Sequence, residues 1–502
     1  MIATTGDETR HVIPRWRSLR RTLDFGEFKP VERRVLSDGA ELELSEVAAN
    51  WRDRGGVSRA SEFVGAAIVM GVPERAIDAA AYLAKSYPSD PIQAMIDVIF
   101  KRNVSLHKQP NAVDEFLVPK IRIKIVGLKL VTTRDPRNAI AWLDLARLYT
   151  IVGQRENAHH AMFVAVALAP TNRFILRSAV AFYSHVADYN RAYELVRRHP
   201  AIHEDPWILA ADLAVTAEAG RKQVNIRHAR KVLESGHFPD LALSELASEL
   251  GTLELSASGG KRARQHFARA MIDPSENAAA QAEWAVKKQP SIQTWSDESQ
   301  QAGEPAARYA ERMRDWTRAA GQAEIWLADQ PFSVEAAAYA SYAAAIAEDY
   351  GRSIELAEAG LRANPDALVL LNNLAYSLIE INELERAKGQ LDKANSQLLR
   401  VSTDEVEYRE VLAVTRGLLA IRQGNIEEGI SSYHQVIDRA RSEKNRSLEV
   451  RTLIMLALEL QTLEVDDDTT MNRAVSAAQS SVEPGIRELL DRLLRRSEIL
   501  KK

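Results

Sequence analysis

The chain has no cysteine. That excludes disulfide frameworks, thiolate zinc sites, iron–sulfur ligation and cysteine nucleophiles together, and leaves histidines and carboxylates as the candidate metal ligands. Charge of one dominant sign is also missing: 65 Lys and Arg stand against 69 Asp and Glu in 502 residues, a formal net of -4. Dedicated nucleic-acid or anionic-membrane binders carry a strong basic excess, so neither kind of partner is expected. Long apolar runs are absent as well. Met1 to Thr22 holds no apolar core of signal-peptide length, and Ala161 to Ala169 is far below the roughly 18 residues of a spanning helix. A cytoplasmic protein without membrane insertion is the expectation. Against these absences, hydrophobic residues make up 46% and charged ones 27%, the composition of a folded chain.

Chemistry-bearing motifs are equally scarce. Ser256 to Arg262 (SASGGKR) has glycines and a lysine but neither the spacing of a phosphate loop nor the Ser or Thr after Lys that would bind metal, and reads as a turn. HExxH, GxSxG and the kinase set are missing. His199, His203, Glu204 and Asp205 have ligand-like spacing, but Pro200 interrupts the helix that would align them. Adjacent His159 and His160 point about 100° apart on a helix. Asp466, Asp467 and Asp468 before Thr469 and Thr470 could hold a cation, yet acids at a helix start are more simply caps. The expectation is a protein with no catalytic residue, no metal and no cofactor, and not an enzyme.

What is present is rhythm. In Ala139 to Pro170 two helical runs flank Gly153 and Gln154. Trp142, Leu145, Ala146 and Tyr149 form one stripe of the first run, and Ala158, Met162 and Ala165 one stripe of the second. Small residues let the two helices approach closely where they cross, the bulky ones fill the remaining volume, Gly153 can take positive φ, and Pro170 stops the second helix. This unit resembles the tetratricopeptide repeat at each of these positions. Pro136 and Pro170 stand 34 apart, as do Pro331 and Pro365, the length of that family's repeat. Further units begin at Val57, Arg173, Val334, Leu368 and Glu410, the one from Val334 carrying Ala337, Ala340, Ser341, Ser353, Ala357 and Gly360 in register. Pro200 arrives early and predicts a short second helix in the unit from Arg173. Ala263, Phe267 and Ala270 mark an isolated second helix, while Ile202 to Ser256 is helical without clean register.

The resemblance implies an all-α, right-handed superhelical solenoid of helix-turn-helix repeats in two arrays with a joint near 289–305. The expected organisation is an N-terminal arm over 1–45, an array with degenerate repeats over 46–288, a linker over 289–305, a second array over 306–445 and capping helices over 446–502. The arm has eight basic and eight acidic residues, with Arg10, Arg15, Arg17, Arg20 and Arg21 clustered. Its plain reading is a segment that packs on the first helices or stays free, the alternative being a docking peptide or a nucleic-acid tail. Leu117 to Leu130 alternates Ile121, Ile123 and Ile125 with Lys120, Arg122 and Lys124 like a strand, but Pro136 falls where a repeat's second helix ends, which favours a helix.

In the family this chain resembles, a stripe on the first helix of each repeat lines a concave groove that holds an extended peptide or a partner's helix. The resemblance carries that role to Arg147, Arg177 and His185 in the first array and to Tyr339, Tyr342, Asn372, Asn373 and Tyr376 in the second. The residues of the family's clamp for chaperone C-termini are not matched, since Leu143, Arg147, Ser178, Asn372, Tyr376 and Thr415 stand in their places. A non-enzymatic scaffold or adaptor for a protein or peptide partner is therefore expected. The competing reading is a regulatory or sensing subunit of an enzyme or nucleic-acid-associated complex, using basic patches near Arg15–Arg21 and Lys120–Lys129.

Overall fold

The computed structural model describes residues 9–17, 36–86, 118–292, 294, 303–400, 406–465 and 467–500. Among them the regular structure is wholly helical, with 24 α-helices and one short 3-10 helix, Pro73–Ala76. The chain divides into two compact units, Glu8–Gln301 and Ala302–Lys502, a boundary inside the polar stretch 289–305. Gln293 and residues 295–302 of that stretch lie outside the described residues.

In the first unit the helices are α1 (Asp38–Arg54), α2 (Val57–Val69), α3 (Ile77–Ser86), α4 (Val118–Arg134), α5 (Ala139–Ile151), α6 (Arg155–Leu168), α7 (Arg173–His185), α8 (Tyr189–Arg197), α9 (Pro206–Glu218), α10 (Ile226–Glu234), α11 (Asp240–Ser256), α12 (Gly260–Ala270) and α13 (Glu276–Lys288). In the second they are α14 (Glu304–Arg312), α15 (Trp316–Asp329), α16 (Val334–Ile346), α17 (Tyr350–Ala363), α18 (Leu368–Glu380), α19 (Leu384–Leu398), α20 (Val406–Arg422), α21 (Ile426–Ser442), α22 (Arg446–Thr462), α23 (Asp468–Gln479) and α24 (Pro484–Leu500). From α5 to α12 and from α14 to α23 consecutive helices pack in pairs across short turns, which makes the partners antiparallel.

One turn geometry recurs within these pairs. Nine of them place a single left-handed residue after the first helix: Gly153, Ala187, Gly220, Ser258, Arg314, Glu348, Asn382, Gly424 and Glu464, with φ between 56° and 89°. The residue that follows then donates its N–H back to the last turn of the helix, as in Gln154 to Tyr149 (2.8 Å), Asp349 to Ala344 (2.9 Å) and Val465 to Leu460 (2.9 Å). This closure satisfies carbonyls that the helix end would otherwise strand. Side-chain caps begin many of the helices. Asn138, Asn172, Asp205 and Ser333 accept from backbone N–H groups of the first turns of α5, α7, α9 and α16, and Asp467 does the same for α23. Asp467 is thus a cap, as expected; Asp466 lies outside the described residues.

The small residues sit where helices cross. A Cβ on Gly360 of α17 would overlap the Ala337 methyl of α16, so that position admits only hydrogen. Gly417 and Gly429 bring α20 and α21 equally close. The second helix of the Arg173 unit, α8, is short, as Pro200 predicts. Residues 118–134 are helical despite their alternation: Ile121 and Ile125 are buried one turn apart, while Ile123 is 71% exposed. Trp142 was expected to fill the α5–α6 crossing, but it is only half-buried, its Nε1 donating to Pro136 O at 3.0 Å and its ring edge-on to His160.

Candidate functional site

In the first unit the first helices α7, α9, α11 and α13 touch one another in succession and form a continuous layer. Residues of one helical face point out of it: Glu245, Glu249 and Thr252 lie at i, i+4 and i+7 of α11, and Asn277 and Gln281 at i and i+4 of α13. Residues 10–17 of the chain lie on this layer as an extended segment. Its side chains alternate, with Val12, Pro14 and Trp16 buried and His11, Ile13 and Arg15 partly open, the period-two pattern of extended backbone.

Both the backbone and the side chains of this segment are read. Gln281 Nε2 donates to Arg10 O (2.6 Å) and Arg10 Nη1 returns a bond to Gln281 Oε1 (2.7 Å). Val12 N donates to Glu249 Oε2 (2.8 Å), whose other oxygen contacts His11 Nδ1 (2.7 Å). Asn277 Nδ2 donates to Ile13 O at 3.0 Å. Arg15 and Arg17 take one oxygen each of Glu276, at 2.6 and 2.5 Å, in the first turn of α13. Trp16 is 1% exposed and meets Phe182 of α7 edge-on, with ring centroids 5.6 Å apart. Burial disfavours charge on His11, but the Glu249 hydrogen bond and the Glu249 and Glu218 carboxylates outweigh it, so the ring pKa is raised. Residues 38–45 of the arm begin α1, which packs on α2 as the plain sequence reading has it, whereas residues 10–17 dock on α7, α11 and α13, where the complementary carboxylates stand.

Of the residues expected to bind in this unit, Arg177 lies beneath the segment. It is buried, paired with Glu245 Oε2 at 2.8 Å and stacked 5.0 Å over Trp207, and with Arg15, Arg17, Ser275, Glu276 and Asn277 it lines a small cleft. His185 ends α7 half-buried, and burial followed by the Arg155 charge lowers its pKa to about 4, so the ring is neutral. Arg147 is half-buried on α5. Sequence reasoning missed Glu245 and Thr252, although a signal for them exists. They precede Ala263 by 18 and 11 residues, the distances at which Ile140 and Arg147 precede Ala158.

In the second unit, Tyr339, Tyr342, Asn372, Asn373 and Tyr376 do not line open surface; they are between 0 and 6% exposed. Two causes combine. First helices abut first helices here too, so Asn373 of α18 donates to Ser341 Oγ (3.1 Å) and Ala338 O (3.3 Å) of α16, and Asn372 Oδ1 accepts from Thr415 Oγ1 of α20 (2.7 Å). Tyr339 OH reaches Glu311 Oε2 (3.0 Å) and Ala307 O (3.1 Å) of α14. The second cause is α24, which packs on α22 and crosses to α14 and α16. Its Arg492 donates to Ile346 O (2.9 Å) and pairs with Glu348, and its Gly485 abuts the Tyr342 hydroxyl. Burial raises the Tyr342 pKa to about 12.

The basic patches are unequal. Arg15 and Arg17 are engaged by Glu276, and Arg20 and Arg21 lie outside the described residues, as does the Lys120 side chain. Arg122, Lys124 and Lys129 are exposed on α4. Among the described residues no cluster of His, Asp or Glu is placed to hold a metal ion, and no helix is long and apolar enough to cross a membrane.

No family model matches the chain, and no curated protein matches it. Solved structures do. A crystal structure of the APC/C hetero-tetramer Cut9-Hcn1 is 10% identical over 91% of this chain and 93% of that one, with a TM-score of 0.38. A human IFIT1 dimer with PPP-AAAA is 12% identical over 96% and 100%, at 0.32. Yeast Tom70 is 12% identical over 92% and 97%, at 0.30. At such identities and scores these likenesses assign no partner or activity to this chain. Its own helix pairs, with left-handed turns, small-residue crossings and abutting first helices, give it a tetratricopeptide-type helical-repeat fold.

Proposed function

We propose that the protein is a non-enzymatic, cytoplasmic scaffold or adaptor that holds a protein or peptide partner against the first-helix layer of its first unit. The observation that supports this reading is the docked segment 10–17. A surface that bonds the carbonyls of Arg10 and Ile13 and the amide of Val12, and also encloses Trp16, has the donors and acceptors an extended chain requires. Arg177 remains part of the proposed surface, whereas the five buried residues of the second unit act as braces between helices. The regulatory reading built on basic patches draws less support, because Arg15 and Arg17 are already engaged by Glu276.

Site-specific photo-crosslinking in the native cell tests the proposal. A crosslinker in place of Glu218, whose charge acts on His11, is expected to capture partner peptides. One in place of Phe163, exposed on the second helix α6, is expected to capture none. Adducts from the Phe163 position alone would contradict it.

A further inference from the structure

The occupant of the first-helix layer is part of the chain itself, and its chemistry describes what the layer selects. Three acidic side chains, Glu245, Glu249 and Glu276, face it, and each is matched by a basic side chain: Arg177 from the layer, His11, and the Arg15 and Arg17 pair. Two of those carboxylates are therefore satisfied by the segment and lose their partners when it leaves. A neutral or acidic segment docking there would bury these carboxylates without a cation, which is costly, so the vacated layer favours another basic segment. The enclosed site of Trp16 against Phe182 adds a place for one large aromatic ring between the two arginines.

We infer that the first-helix layer of the first unit is a receptor for an extended basic peptide with an aromatic residue flanked by arginines, and that residues 10–17 occupy it in cis until such a segment of a partner displaces them. This rests on the scaffold reading above and adds to it the class of partner and the resident competitor. A tethered occupant acts at an effective concentration near the millimolar range for a short linker, so a free peptide competes at a disadvantage. If the segment is docked about nine-tenths of the time, the affinity measured in trans is about tenfold weaker than that of the open layer.

The test uses the full chain and a fluorescent peptide with the sequence of residues 9–17, followed by anisotropy. Trp16→Ala and, separately, the double variant Arg15→Ala/Arg17→Ala release the segment. The double variant truncates two charged side chains of the segment and leaves Trp16 and the helices beneath it unaltered should Trp16→Ala unfold. Both released chains are expected to bind the peptide at least about tenfold more tightly than wild type. They are expected to reject the same peptide carrying Arg15→Glu and Arg17→Glu, and to lose affinity when Glu276→Gln is added. Released chains that bind no better than wild type, or that accept the acidic peptide equally, overturn the inference. Neither result touches the crosslinking from the Glu218 position, so the scaffold reading stands or falls separately.

Discussion

Removing Trp16 separates a docked ligand from a piece of the core. The side chain is 1% exposed and packs edge-on against Phe182. Truncating so large a buried aromatic costs about 3–5 kcal/mol when the surrounding structure cannot collapse around the gap. If residues 10–17 form a removable segment, that loss falls on its docking and not on the helices beneath. With about 1.4 kcal/mol per factor of ten, that loss exceeds the bias that keeps a segment docked about nine-tenths of the time, so the segment becomes mostly undocked and is open about tenfold more often. The amide of Val12, which is buried and bonded to Glu249, reports the opening by hydrogen exchange. In Trp16→Ala its exchange is expected to accelerate by that factor, while amides of α11 and α13 keep their wild-type rates. Equal acceleration at Val12 and throughout α7 to α13 would refute the reasoning, since the segment would then open only when the whole unit does.

Three further outcomes follow from the geometry. The raised pKa of His11 means that its contribution to docking is complete below the ordinary histidine value of 6.5 and is lost as pH rises through the elevated value. Val12 exchange, corrected for its intrinsic pH dependence, should therefore be slower at pH 6 than at pH 8, and Glu249→Gln should abolish the difference. Asn373→Ala should destabilise the second unit by about 1–3 kcal/mol in urea titration, because it removes buried bonds to Ser341 and Ala338; an unchanged midpoint would return that residue to the surface. Ala187→Gly should stabilise the first unit by about 0.5–1 kcal/mol, since an exposed left-handed turn strains an alanine and suits glycine, and a lowered melting temperature would count against the turn geometry.

The repeat was legible where the sequence marks its turns. Gly153 and Pro170 bracket the second helix of one unit, and Gly360 beside Ala337 fixes another, because close helix crossings tolerate only small residues. It was hidden around α11, where Ser258 takes the left-handed position and the closing bond from Gly259 N to Glu254 O involves backbone alone. The glycines of Ser256 to Arg262 mark a turn there, but not which residue takes the left-handed position or the register of α11 before it. The binding stripe was misjudged for a different reason. The angular arithmetic of one helix locates a face relative to its paired helix, but not what lies across the layer from it. Asn373 meets the preceding first helix, Tyr342 meets α24, and Glu249 meets residues 11 and 12, all through contacts between distant parts of the chain.

The most direct measurement follows the arm while a partner is bound. Once crosslinking identifies the partner, hydrogen exchange of the full chain is compared with and without it. The account predicts that Val12 loses protection in the complex while α11 and α13 retain or gain it, because the partner's segment takes the place of residues 10–17. A saturated complex in which Val12 stays as protected as in the free chain would contradict it, and would move partner binding to another surface.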